Sequence, residues 1–196
     1  MRNSLDGATY WRALMTAVVL GAGLAAGSGA EARAAAPTCI SNAAYLVVET
    51  PHKDGVGNSY IVRDRTAAPK SACSTKPAAG DVVIGSADDP YFLLRLAGRY
   101  LLLDAGTGPD RTLVIRDLKA GTTAFEGGYA DNEISITPAK ATFWATSDTP
   151  ATKKTCKTFA TITKDGLTPV IEVETTFDLV TGKLKASKTM RCSAHQ

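Results

Sequence analysis

Histidine is the scarcest of the reactive side chains in this sequence, with only His52 and His195 among 196 residues. The four cysteines form no C-x-x-C pair, and no serine lies in a G-x-S-x-G motif. Zinc sites in proteins normally need close cysteine pairs or nearby histidines, and α/β-hydrolases carry their nucleophile in that serine motif. The sequence therefore excludes a histidine-rich metal site, gives no support to an α/β-hydrolase, and predicts neither a metal nor another cofactor.

Long apolar runs are also scarce, and the clearest one lies near the start of the chain, at residues 13–26. A membrane-spanning helix needs about 20 apolar residues, whereas this run has the length of the apolar region of a signal peptide. Arg2 and Arg12 precede the run, and Ala32-Arg33-Ala34 follows as a small-x-small cleavage site. We therefore expect residues 1–34 to be a cleaved secretory signal.

The remaining chain, residues 35–196, has the length of one domain with one sizeable core. We expect this domain to be exported, either to a periplasm or outside the cell, and to have no membrane span after the signal is removed. The formal net charge of the full chain is only +3, which indicates no nucleic-acid partner. Residues 140–196 hold 9 basic and 5 acidic residues, so a lysine-bearing surface there could bind an anionic envelope polymer.

All four cysteines, Cys39, Cys73, Cys156 and Cys192, lie in the part that we expect to be exported. An even number of cysteines in an oxidising compartment predicts two disulfides. Three pairings are possible, and we favour Cys39–Cys73 with Cys156–Cys192. The reason for this choice comes from the C-terminal hairpin.

Two C-terminal segments, 171–179 and 184–192, alternate apolar and polar residues and so predict a hairpin. Matching the two apolar faces selects one register, because a slip of one residue would turn a strand inside out. The cross-strand pairs of that register are Leu179–Leu184, Phe177–Ala186, Val173–Met190, Ile171–Cys192, Asp178–Lys185 and Glu172–Arg191, the last two on the solvent face. A helix near residues 150–165, starting at Pro150, would bring Cys156 to Cys192.

Residues 91–118 contain three apolar runs separated by glycine-containing turns. We expect the other strands to pack around this segment. With a turn at Ala97-Gly98, Leu96 faces Arg99, and apolar side chains lie on both faces of the hairpin. A hairpin that is apolar on both faces is central rather than at a sheet edge. Ala97 fits a two-residue turn poorly, so a register displaced by one residue stays open.

Further short apolar runs predict strands at 44–49, 59–63, 81–85, 123–126, 133–136 and 141–145. The strands do not alternate with helices, so we predict a mainly β protein. Its architecture would be an antiparallel β-sandwich or small barrel with one short helix near residues 150–165 and two disulfides. A D-L-x-x-G hairpin occurs at 117–121 and again at 178–182, which leaves a propeller as an alternative.

The clearest candidate for chemistry is the Asp-Ala-Gly-Thr-Gly loop at 104–108, which follows an apolar strand. It resembles the apolar-apolar-Asp-Thr/Ser-Gly loop of aspartic proteases, in which two carboxylates share one proton. Ala105 stands where that family has Thr or Ser, and a single copy of the loop implies a homodimer. The resemblance implies a catalytic role for Asp104.

The same stretch also resembles the first phosphate-binding hairpin of the sugar-kinase and actin-type ATPases, over fewer than 20 residues. That resemblance implies phosphate contacts from Gly106 and Thr107 and a metal contact from Asp104. The candidate binding residues of the loop are Asp104, Gly106, Thr107, Asp110 and Arg111. In the simpler structural interpretation, Asp104 accepts backbone N–H bonds and the glycines permit the turn.

A Ser-His-Asp site would have to use His52, with Asp54 and Ser59 nearby in the sequence. We favour a non-catalytic binding domain that contacts an envelope protein or anionic polymer through its loops 51–58, 105–111 and 127–133. The alternative is an aspartic-type hydrolase centred on Asp104. A catalytic Asp104 would lie in a concave pocket beside a second acid, whereas a structural one would have its oxygens bonded by nearby backbone amides.

Overall fold

The computed structural model describes residues 37–67 and 72–196, so the predicted signal segment at 1–34 lies outside the described residues. Strands account for most of the regular structure, as the sequence predicts. Their bounds are β1 Thr38–Ser41, β2 Tyr45–Pro51, β3 Asn58–Asp64, β4 Val82–Ile84, β5 Tyr91–Ala97, β6 Tyr100–Ala105, β7 Arg111–Asp117, β8 Thr122–Tyr129, β9 Ser135–Ile136, β10 Lys140–Thr146, β11 Thr168–Asp178 and β12 Leu184–His195. The helix α1 spans Phe159–Lys164, and a 3₁₀ turn spans Asp131–Glu133.

The strands form two antiparallel sheets. The first has the order β1-β2-β3-β4, and the second has the order β12-β11-β10-β8-β7-β6-β5, with β9 paired to β10. This arrangement confirms the predicted sandwich, with sheets that do not close. Among the described residues, no helix combines the length and the apolar character needed to cross a bilayer.

Strand β6 lies between two hydrophobic cores. Its residues Leu101, Leu102 and Leu103 are all 0% exposed. Leu101 and Leu103 pack with side chains of β2 and β3 in the first sheet, whereas Leu102 packs in a separate core with Phe143 and Phe177. The predicted cover on both faces is therefore confirmed for β6, whereas the expected central position of the hairpin is wrong for β5, which is an edge strand of the second sheet and is mostly half-buried.

The turn of this hairpin is not at Ala97-Gly98, the first of the two expected positions. Ala97 pairs with Tyr100, and Leu96 pairs with Leu101 instead of Arg99. The turn is therefore Gly98-Arg99, displaced by one residue from the one expected. Gly98 has a φ of 57°, in the region that glycine adopts without strain. Ala97 consequently remains in the strand, where it is buried.

The C-terminal hairpin follows the expected register at one end only. Ile171 pairs with Cys192 as predicted, but an irregularity after Val173 shifts the pairing, so Phe177 lies opposite Leu184 instead of Ala186. The predicted pairs Phe177–Ala186, Leu179–Leu184 and Asp178–Lys185 are therefore wrong. The physical reason is a bulge: the three residues 187–189 of β12 stand opposite the single residue Glu174, and the Ser187 hydroxyl accepts the Thr189 amide N–H at 2.9 Å.

Both predicted disulfides are confirmed, with Cα–Cα distances of 6.0 Å for Cys39–Cys73 and 5.2 Å for Cys156–Cys192. The helix is shorter than expected and begins at Phe159, not at Pro150. The Thr155 hydroxyl accepts the Thr152 amide N–H at 2.8 Å and donates to the Pro150 carbonyl at 3.1 Å. Threonines that bond the local backbone in this way favour turns over a continuous helix.

Candidate functional site

Asp104, the residue that the sequence singles out, forms an ion pair inside the sheet. It is 7% exposed and lies near the end of β6. The Arg111 guanidinium donates from Nε to Asp104 Oδ1 at 3.0 Å and from Nη2 to Oδ2, and it lies over the ring of Phe92 at 5.6 Å. The bond to Asp104 raises the pKa of Arg111. Both carboxylate oxygens thus accept bonds from a guanidinium. Neither is bonded by a backbone amide or by a second acid.

The buried ring of Tyr129 belongs to the same end of the core. Burial, and then the negative charge of Asp104, raise the pKa of Tyr129, so its hydroxyl stays neutral. Among the described side chains, this hydroxyl finds no hydrogen-bond partner. Tyr129 packs edge-on against Phe143, with ring centroids 6.5 Å apart. The surroundings of Asp104 are therefore those of a core position.

The glycine loop after Asp104 is a turn held by the backbone. The Gly106 amide donates to the Pro90 carbonyl at 3.2 Å, so it is not free for the phosphate contact that the ATPase resemblance implies. Gly106 has a φ of 120°, which a side chain would strain. Thr107 is exposed. These features match the structural interpretation of the glycines.

Asp110, a predicted binding residue at the far end of the same loop, belongs to a second cluster, which the sequence analysis does not predict. Its Oδ1 lies 3.1 Å from Nδ1 of His195 on β12. The other ring nitrogen of His195, Nε2, lies 3.2 Å from Oε1 of Glu172 on β11. The structure therefore gives Asp104 and Asp110 different contacts, and it brings Asp110 next to a histidine 85 positions later in the chain.

Glu172 is the centre of this cluster. It is 2% exposed, and its Oε2 accepts bonds of 2.6 Å from both Arg191 Nε and Ser193 Oγ. Burial acts to raise the pKa of Glu172, but the bonds from Ser193, Arg191 and His195 outweigh it and hold that pKa below its ordinary value. The carboxyl is therefore ionised. The predicted pairing of Glu172 with Arg191 is confirmed, whereas its expected placement on a solvent face is wrong.

The cluster follows from strand geometry. Arg191, Ser193 and His195 are spaced two residues apart on β12, so their side chains lie on one face. Arg191 also bonds Glu133 of the 3₁₀ turn at 2.7 Å and lies over the ring of Trp144 at 4.4 Å. The turn thus covers the face that alternation alone assigns to water. The polar residues at every second position from 191 to 195 are the sequence signal that could have revealed the site.

An open groove of about 580 Å³ lies beside this cluster. Its walls come from residues 109–110, 129–133 and 191–196, with Leu167 and Glu172. Two of the three loops expected to bind, 105–111 and 127–133, therefore contribute to it. Besides Tyr129, the ionisable side chains that line it are the acids Asp110, Asp131, Glu133 and Glu172 and the bases Arg191 and His195.

The third loop, 51–58, lies outside this lining. Within it, His52 Nδ1 lies 3.3 Å from the Val56 carbonyl, and His52 Nε2 is buried without a partner among the described residues. The described contacts of His52 do not include Asp54 or Ser59, the partners that a triad would need. Ser193 and His195 form no such triad either, because each of them bonds to Glu172.

Within residues 37–67 and 72–196, no three His, Cys, Asp or Glu side chains are grouped so as to hold a metal ion. No protein-family model matches this chain, and neither a curated protein nor a solved structure shows significant similarity to it.

Proposed function

We propose that this chain is an exported, non-catalytic binding domain that holds a partner protein in the groove beside Glu172. The observation that carries the proposal is the groove, which two loops form over a buried, ionised carboxylate. Concave sites with a few fixed polar groups are where proteins bind their ligands. The two disulfides fit an oxidising compartment, as expected for an exported domain.

The charge of the groove favours a partner with exposed lysine or arginine side chains. Its lining has four carboxylates but only one guanidinium and one imidazole. The chain as a whole has a formal net charge of +3, so this local excess of acid is opposite in sign to the global balance. Complementary charge guides such partners to their site and excludes others.

The expected anionic envelope polymer fits a different surface. Lys183, Lys185 and Lys188 are exposed along or beside β12, which is an edge strand of the second sheet. We therefore keep the polymer as a second candidate ligand for that strand. The alternative of an aspartic-type hydrolase gains no support, because Arg111 bonds both oxygens of Asp104.

Affinity capture from an envelope extract tests the proposal with matched charge-reversal variants. Asp131→Lys changes an exposed residue of the groove, and Asp54→Lys makes the same change in the exposed loop 51–58, outside the lining. We expect a protein that wild type and Asp54→Lys retain and Asp131→Lys loses. Equal recovery by all three, or no recovery above background, contradicts the groove as the binding site. Retention of an anionic polysaccharide that Lys185→Glu abolishes would assign the polymer to β12 instead.

A further inference from the structure

The two disulfides differ in their access to solvent. Cys73 is exposed and Cys39 is half-buried, whereas Cys156 is 1% exposed and packs in a small core together with Cys192. Exchange between a thiol and a disulfide begins when a thiolate reaches one of the two sulfurs, and exposed bridges are the labile ones. The bridge Cys39–Cys73 is therefore the one that a thiol in solution can reach.

The segment 72–76, which carries Cys73, has a second attachment besides the disulfide. The side chain of Arg63 on β3 is only 7% exposed, and its Nε donates to Asp81 Oδ2 at 3.0 Å. Its Nη1 and Nη2 donate to three backbone carbonyls of the segment, those of Ala72, Ser74 (2.8 Å) and Lys76 (2.9 Å). Because a buried charge is costly to leave without partners, these bonds hold the chain on both sides of Cys73.

The two attachments lie side by side on one face of the first sheet. Cys39 pairs with Val48 and Arg63 pairs with Leu46, two positions apart on β2. Paired residues, and residues two apart along a strand, point to the same face of a sheet. Reduction of the disulfide therefore removes one of two neighbouring attachments. The other, Arg63, keeps the segment 72–76 and the thiol of Cys73 close to Cys39.

We propose that Cys39–Cys73 is a reversible thiol–disulfide exchange site, at which a dithiol reduces this protein without unfolding it. One thiolate of the dithiol attacks the sulfur of Cys73, the S–S bond breaks, and Cys39 leaves as a thiolate that takes up a proton. The second thiolate of the dithiol then attacks the first sulfur of the dithiol and displaces Cys73, which is protonated in turn. The dithiol becomes a disulfide, and this chain gains two electrons and two protons as two thiols.

Re-oxidation by a disulfide runs the same steps in reverse, and the attachment at Arg63 makes it efficient because the two thiols stay near each other. Cys156–Cys192 remains closed throughout. Neither Cys39 nor Cys73 lines the groove beside Glu172. The exchange site is therefore independent of the proposed binding function.

The experiment treats the oxidised protein with dithiothreitol, a small dithiol, at neutral pH without denaturant. Alkylation followed by peptide mass spectrometry measures the free thiol at each cysteine, and circular dichroism follows the fold. Since access controls exchange, we expect Cys39 and Cys73 to be alkylated together about tenfold faster than Cys156 and Cys192, with an unchanged spectrum. Oxidised glutathione should then close the same bridge again.

Two further measurements test the role of Arg63. Arg63→Gln removes the charge and most of the donors, and the matched control is Arg65→Gln, because Arg65 bonds the Asn42 carbonyl at 2.7 Å, outside the segment. We expect reduced Arg63→Gln to re-form the bridge about tenfold more slowly than wild type and Arg65→Gln, since a loose segment lowers the effective concentration of one thiol near the other. In reduced wild type, the Arg63 Nε–H resonance should stay protected from solvent exchange.

Three results would overturn the proposal. The first is equal reduction of both bridges, or no reduction of Cys39–Cys73. The second is loss of the folded spectrum when Cys39–Cys73 is reduced. The third is re-oxidation of Arg63→Gln at the wild-type rate. If Arg63→Gln does not fold, the Arg63 Nε–H resonance decides, because its loss in reduced wild type contradicts the second attachment.

Discussion

Two buried carboxylates in this molecule have very different surroundings. Asp104 is bonded through both oxygens by one side chain, Arg111, seven residues later in the chain. Glu172 is bonded by three side chains of the neighbouring strand, and it lies beside the groove. The comparison shows that a recognisable loop motif can mark a local structural pair, whereas an assembled site can arise from residues that form no motif.

Of the variants that compare the two carboxylates, Glu172→Ala is expected to have the largest effect on stability. This change leaves Ser193 and His195 without their acceptor and Arg191 with Glu133 as its remaining carboxylate partner. Breaking a buried ion pair from one side is strongly destabilising, and we expect the free energy of unfolding to fall by about 3 kcal/mol. Urea unfolding followed by circular dichroism measures this loss.

The matched control is Glu133→Ala, which removes the other carboxylate bonded to the same Arg191. The side chain of Glu133 is 44% exposed, so water replaces the lost bond and stability should change little. If both variants lose the same stability, Glu172 is not the centre of the cluster.

A smaller loss is expected for Asp104→Ala. Arg111 would lose both of its bonds to the carboxylate but would keep its contact with Phe92 and its access to water at the loop. Hydrogen bonds to charged groups contribute about 1.5–3 kcal/mol, so we expect a loss of about 2 kcal/mol. A double-mutant cycle with Arg111→Ala isolates the coupling. Partner capture that Asp104→Ala abolishes would contradict its assignment as a structural residue.

The smallest expected effect is a dependence of stability on pH, which is absent near pH 7 and appears only in acid. Because the pKa of Glu172 in the folded protein lies below its ordinary value of 4.5, its ionised form stabilises the fold above pH 4.5. That contribution is lost as the pH falls below 4.5 through the lowered value. We expect wild type to lose more stability than Glu172→Gln between pH 5 and pH 2.5 in urea titrations. Parallel losses would show that Glu172 titrates alike in the folded and unfolded chain.

The fold was predictable because its signals are local. Alternation along 171–179 and 184–192 predicts the hairpin and brings Cys192 inward, which selects the disulfide with Cys156. Apolar residues on both faces of 91–103 predict a covered strand. The errors occur where a local detail decides between alternatives: Gly98 shifts a turn, and the bulge of β12 opposite Glu174 shifts half of the C-terminal hairpin.

The candidate site was less predictable, for a physical reason. Alternation separates the two faces of a strand, but it does not show which face another part of the chain covers. Glu133 bonds Arg191, 58 positions later in the chain, and Asp110 lies 3.1 Å from His195, 85 positions later, so Glu172 is buried on a face that the pattern assigns to water. A lone histidine at 195 likewise carries no signal until two carboxylates are placed beside it.

Strand β6 has a consequence for how the molecule unfolds. Adjacent residues of this strand belong to different cores, Leu101 and Leu103 to one and Leu102 to the other. Solvent therefore cannot enter one core without displacing the backbone that supports the other. We expect the two halves to melt together in a single cooperative transition, with the amides of β6 among the last to exchange with deuterium.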